Sequence, residues 1–324
     1  LKAQAAKAAA TIIGTGNLDP LRVVRLPTNL ADFSRRGFRL DRPADRALLE
    51  RHAECFLTGF NLVAEYKSDP HSALAGIPAE ERGFAYEGAG MRAALVDLMT
   101  CGRAGSLRRL LDGPGLRYVH LIHVGYGWAL APLRPPLPFR LPRTPLLRWL
   151  ALDGAGFAET YFGDFTALRK RCRRRPTPRS QARLAGAGRA LWFLESADIP
   201  GIVDRIESVP AAARPQLWAG VGLAACYAGC ADERRLEDLG EASGPCVAYL
   251  GQGALFGAAA RVLSGVVPAH TRLLCEKLFS VTPEVASGWT DVAAEGLSCR
   301  RDLAAYLEWK KRLREKADSR RKAA

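Results

Sequence analysis

Apolar residues recur at helical spacing along most of the chain. After Asp41-Arg-Pro-Ala-Asp-Arg46, the apolar positions Ala47 to Leu49, Ala53, Cys55, Phe56, Phe60, Leu62 and Val63 fall at three- and four-residue steps. That periodicity predicts an amphipathic helix, which Asp69-Pro70 should stop. Glu80-Glu-Arg82 opens a second helix carrying Tyr86, Glu87 and Met91 and ending at Cys101-Gly102; residues 107–111 form a short one stopped by Gly113-Pro-Gly115. Tyr118 to Pro132 is strongly apolar and reads as a buried helix or a strand leading into one. Pro132 to Pro145 holds six prolines and must be a loop or extended connection. A helix resumes at Leu146, and helical patterns follow at 184–208, 215–229, 232–242, 246–263, 270–280, 283–296 and 301–318. Leu21 to Leu26 reads as a short strand or an extended arm.

The fold class is therefore mainly α. The expected division is a flexible lead-in at 1–20, an N-terminal helical half at 21–168 and a basic linker or loop at 169–183. A C-terminal helical half at 184–306 and a basic helix and tail at 307–324 complete it. In the lead-in, Ile12-Ile-Gly-Thr-Gly16 lacks the third glycine and the preceding strand of a dinucleotide loop.

One regularity crosses the middle of the chain. Gly-x-Gly occurs at 88/90, 125/127, 154/156, 186/188, 220/222 and 251/253, mostly inside apolar helical patterns. Glycine within a helix costs about 1 kcal/mol relative to alanine, so something else requires these residues. Close backbone approach between small-faced helices, or of a flat ligand to the backbone, supplies the reason. The spacing near thirty residues fits a degenerate paired-helix repeat. An irregular helical fold with Gly-x-Gly at helix starts fits as well.

Composition changes this picture little. The chain has 324 residues, 48% of them hydrophobic, enough to bury a large core. The net charge of +14 points to nucleic acid or acidic membrane until it is located. Residues 169–183 hold eight Lys/Arg and no acid; residues 310–324 hold eight Lys/Arg with Glu315 and Asp318, so the remainder is neutral. Charge confined to two peripheral segments argues against nucleic-acid binding. The tail Leu307 to Lys316 resembles an amphipathic helix, a weak argument for contact with a membrane surface. Eight cysteines without a C-x-x-C pair read as reduced thiols in a cytoplasmic protein. No run of about 18 apolar residues is present and the N-terminus shows no leader pattern.

Candidate chemistry rests on polar residues set in apolar, glycine-rich surroundings. Glu87, His123, Asp153 and Glu195 are the acid/base candidates, because apolar surroundings hold a proton where water would lose it. Tyr86, Tyr126, Trp128, Trp192 and Phe193 offer aromatic faces to a bound ligand. Each has a plainer reading: Asp153 as a helix cap, Glu195 and Asp198 as first-turn acids or partners of Arg189, the histidine as a hydrogen-bonded core residue. His120 and His123 would share a helix face, but no H-E-x-x-H is present and no metal is assigned. No cofactor is indicated.

Several blocks appear together in one order: RGFAYEGAG at 82–90, HVGYGWAL at 123–130, LLRWLALDGAGF at 146–157, LWFLESADI at 191–199, LWAGVGLAACYAG at 217–229 and GQGALFGAAAR at 251–261. With Phe33 to Phe38 and Phe56 to Asn61, they resemble a family of proteins of unknown function that recurs in bacterial enediyne antibiotic gene clusters. Where that family carries Gly-Phe-His-Glu-Gly-Tyr-Phe, this chain has Ala158 before Glu159 and Thr160 after it. The resemblance implies a place in secondary metabolism beside an iterative polyketide synthase, and a polyene or early enediyne-core intermediate as ligand. A non-catalytic scaffold or synthase partner is the rival expectation.

Overall fold

The computed structural model describes residues 24–66, 69–131, 141–163, 165–174 and 177–321, and among them every regular element is helical. In chain order these are α1 (Pro43–Glu65), α2 (Pro70–Ala75), α3 (Arg82–Met99), α4 (Ser106–Leu110) and α5 (Val119–Leu130). Next come α6 (Leu150–Tyr161), α7 (Phe165–Cys172), α8 (Pro178–Leu194), α9 (Ile199–Glu207) and α10 (Arg214–Ala228). The last are α11 (Glu233–Ser243), α12 (Val247–Ser264), α13 (Ala269–Phe279), α14 (Pro283–Ala294) and α15 (Leu303–Arg321). The lead-in and most of the proline-rich stretch lie outside the described residues.

Local signals set the helix ends. Pro43 occupies the first turn of α1, and Thr177 and Ser180 form a capping box at the start of α8. The pattern at 184–208 proves to be two helices. Ser196 and Ala197 adopt left-handed backbone with φ of 47° and 58°, and the Asp198 carboxylate then caps α9 by accepting from the Gly201 N–H at 3.0 Å. Hydrophobic periodicity carries across such a tight turn, so the pattern alone does not mark the break.

Seven of these helices stand in a row, α1, α3, α5, α6, α8, α10 and α12, each beside the next, and one rule governs every junction. Each neighbour pair uses one glycine from each helix: Gly59 with Gly88, Gly90 with Gly125, Gly127 with Gly154, Gly156 with Gly186, Gly188 with Gly220, and Gly222 with Gly253. In every pair a Cβ on one glycine would strike the carbonyl oxygen three residues before the other. Gly154 faces Val124 O and Gly127 faces Ala151 O, for example, at only 1.9 and 2.0 Å from where a Cβ would stand. The backbones therefore meet with no side chain between them.

The Gly-x-Gly spacing follows from this arrangement. At about 100° per residue, positions two apart point about 200° apart, to nearly opposite sides of a helix. One glycine of each pair serves the preceding helix and the other the following one. The motif accordingly lies inside the helices, at 88/90 within Arg82–Met99 for instance, and not at their starts. In α12 the sense reverses: Gly253 faces α10, while Gly251 faces Ala317 of α15 and Phe279.

The row curls. The backbone N–H of Arg39, ahead of α1, donates to Leu194 O at 2.9 Å, and His52 on α1 reaches Ala228 O at the end of α10 at 3.0 Å. Phe38 packs edge-on against Tyr161 with ring centroids 5.1 Å apart. One hydrophobic core runs from Leu26 to Ala317 and crosses the basic segment, part of which lies in α7 and part at the start of α8. Glu233–Ser264 has the length and apolarity to cross a membrane, but a 3-10 turn at Gly244–Cys246 breaks it and 61% of its apolar window is buried inside the protein. The C-terminal helix α15 is also anchored inward, with Tyr306, Trp309, Lys310, Leu313 and Ala317 all buried.

Candidate functional site

The glycine rule leaves one side of each helix free to face the space inside the curl. Residues just before the first glycine and just after the second are four apart and share that side. Five such residues line one pocket: Glu87 from α3, Trp128 from α5, Phe157 from α6, Arg189 from α8 and Leu223 from α10. The pocket has a cavity volume of about 50 Å³, room for about one or two water molecules at roughly 30 Å³ each. Its other walls are mostly aromatic, including Phe56, Phe84, Tyr161, Phe193 and Tyr227. Phe56 and Phe157 approach the Trp128 ring to 4.4 and 4.9 Å between centroids. At one wall His52 stacks on Phe84 at 4.1 Å and bonds Glu81 Oε2 at 2.6 Å, joining α1 to the start of α3.

Two carboxylates and two cations are buried here together. Trp128 Nε1–H donates to Glu87 Oε1 at 2.9 Å. Arg189 lies over the Phe157 ring, 4.8 Å from its centroid, with Nη2 3.9 Å from Glu87 Oε1 and 2.8 Å from Asp153 Oδ1. That last contact is close but not aligned as a hydrogen bond. Lys310, from α15, donates to Gln216 Oε1 at 3.1 Å and also faces Asp153 electrostatically. Burial pushes both carboxyls above their ordinary range, against the opposing pull of Arg189. Burial likewise lowers the Lys310 ammonium to about 8, with Asp153 opposing. A carboxyl biased toward its acid form in an apolar wall is equipped to give and take a proton.

A family model described as a protein of unknown function, DUF1702, matches residues 21–317. The chain belongs to the DUF1702 family. No curated protein and no solved structure matches it. The stretch shared with DUF1702 contains the whole row of helices and every residue of the pocket.

Within this DUF1702 chain the sequence candidates separate. Glu87, Trp128 and Phe193 line the pocket, and Asp153 joins it through Arg189. His123 is fully buried in the wall of α5, where its Nδ1–H donates to the Val119 carbonyl at 2.7 Å; burial lowers it to about 4, so it is neutral. Glu195 sits in a separate ion cluster, 3.2 Å from Arg39 Nε and also paired with Arg205. Tyr86 faces the other way, stacked on Tyr118 at 4.2 Å with its hydroxyl 2.9 Å from His71 Nδ1. Tyr126 lies between the glycines of α5, nearly opposite Trp128. Trp192 is a core residue that donates to Gly229 O at 3.0 Å.

Arg189 partners Glu87 and Asp153, not Glu195 and Asp198, which Arg39 holds. The sequence signal for its place was its position just after Gly188, equivalent to Trp128 after Gly127 and Phe157 after Gly156. Lys310 and Gln216 carried no such mark, since Lys310 belongs to a run of basic residues and reaches the site only through the docking of α15. Among the described residues, no three His, Cys, Asp or Glu gather closely enough to hold a metal ion.

Proposed function

We propose that this protein is an accessory protein of enediyne assembly that draws an unsaturated intermediate, a polyene or early enediyne-core precursor, into the central pocket and moves a proton on it. The observation that carries the reading is the Glu87 carboxyl, whose hold on a proton is raised by burial in an aromatic wall. Its natural work is isomerisation. Protonated Glu87 gives its proton to one carbon of a conjugated chain, and the resulting cation spreads along the chain against the faces of Trp128 and Phe157. The carboxylate left behind is supported by the Trp128 N–H and by Arg189, and it removes a proton from a different carbon. Protons and electrons balance without an added oxidant or reductant.

The resemblance of the sequence blocks to proteins of enediyne gene clusters supports the choice of substrate and a role beside the polyketide synthase. At about 50 Å³ the pocket takes a segment of such a chain, so a whole polyene requires the walls to part. Native mass spectrometry of the protein co-produced with its polyketide synthase tests the ligand. A bound polyene mass is expected, and empty protein recovered from cells that make polyene would overturn the reading.

A further inference from the structure

Three residues of the pocket carry buried polar atoms with no partner: the hydroxyls of Tyr161 and Tyr227 and the Nε–H of Arg189. Such atoms are rare in folded proteins because a buried donor left unmatched loses its hydration for nothing. Tyr227 has a steric explanation. Its hydroxyl is wedged against Gly83, where a Cβ would overlap it, so packing fixes its position. Tyr161 and Arg189 have none. Both lie against Phe157, with the Tyr161 ring centroid 5.5 Å from that of Phe157 and the Arg189 guanidinium 4.8 Å from the same ring. Both residues are over nine-tenths buried and border the same cavity.

A bare hydrocarbon would leave these donors unmatched and would also displace any water that served them. We infer that the ligand is an unsaturated ketone or related carbonyl compound, whose oxygen accepts from Arg189 Nε–H and Tyr161 O–H while its conjugated body lies along the aromatic wall. The inference rests on the reading that this pocket binds an unsaturated ligand, and sharpens it. A carbonyl in conjugation also makes the proton transfer easier, because its oxygen takes up the charge that a plain polyene spreads over carbon. Arg189 then has a double role, holding the carboxylates on one side and the ligand oxygen on the other.

Isothermal titration with two probes of one chain length, heptadienone and heptadiene, separates the possibilities. A ketone is chosen because an aldehyde would condense with lysine. The wild-type protein should bind heptadienone about tenfold more tightly than heptadiene, the effect of one good hydrogen bond beyond solvation. Tyr161→Phe, which removes only an unmatched hydroxyl, should cut the preference severalfold and leave heptadiene unchanged. Equal binding of the two probes by wild-type protein would overturn the carbonyl while sparing the pocket. Binding of neither would overturn the pocket reading itself, and the comparison on wild-type protein holds whether or not the variant folds.

Discussion

Adding a single methyl group at two different glycines should move stability in opposite directions. In Gly154→Ala the new Cβ would stand 1.9 Å from Val124 O, with the Val124 carbonyl carbon at 2.8 Å and its Cα at 3.1 Å. Ordinary van der Waals contact begins at 3.4 Å, so α5 and α6 must separate by about 1.5 Å, the difference between the two distances. Backbone cannot rotate away as a side chain can. Overpacking of this kind costs about 3 kcal/mol or more, against about 1 kcal/mol gained from the better helix propensity of alanine. The net loss should be about 2 kcal/mol or more. Gly240 is the control: it lies within α11, and a Cβ there meets nothing within 4 Å. Gly240→Ala keeps only the propensity term and should gain up to about 1 kcal/mol. Urea denaturation followed by circular dichroism measures both. If Gly154→Ala is as stable as wild type, the backbone contact between α5 and α6 is not what holds them, and the glycine rule falls with it.

The buried charges give two further tests. Arg189→Met strands two carboxyls and should cost about 3–5 kcal/mol near neutral pH, less at acid pH where both carboxyls are protonated. Adding Asp153→Asn should restore part of that loss, and losses that simply add would deny the coupling. Lys310 gives a slope with pH. Its folded-state value of about 8 lies below the ordinary 10.5, so between those values the folded protein has released a proton that the unfolded chain still holds. Stability from this group therefore rises with pH across that window and is flat on either side. Lys310→Met should remove the rise, and parallel stability curves for variant and wild type would contradict the assignment.

Much of the helical layout was legible because it follows from periodicity and strong stop signals. Pro43 and Asp69-Pro70 bracket α1, and Gly265, with φ of 77°, closes α12 close to where the pattern ends. The glycines announced close backbone approach, and their two-residue spacing is what sends one to each neighbour. Their partners were not legible, because contact between helices about thirty residues apart depends on how the row curls. Gly59 shows this: it stands alone in sequence, yet pairs with Gly88 as every other junction glycine does.

For the site, the residue types were legible and their grouping only in part. Glu87 and Trp128 stood out as polar and aromatic groups beside glycine. The helical phase of Tyr86 and Tyr126 turns them to other faces, where an aromatic in the same sequence setting serves packing instead. His123 looked available, but its Nδ1–H is spent on the preceding turn of its own helix. Lys310 was hidden because a buried lysine and an exposed one look alike in a basic run.

The most direct test of the central claim compares wild type with Glu87→Gln in a reconstituted mixture containing the synthase, reading both the polyene bound and the product formed. Glutamine keeps the size of the side chain and an oxygen for the Trp128 N–H, but cannot transfer the proton. The variant should stay folded, bind the intermediate as wild type does, and form no isomerised product. Undiminished product from folded Glu87→Gln would contradict the account, and would leave the pocket as a site that shelters its ligand without changing it.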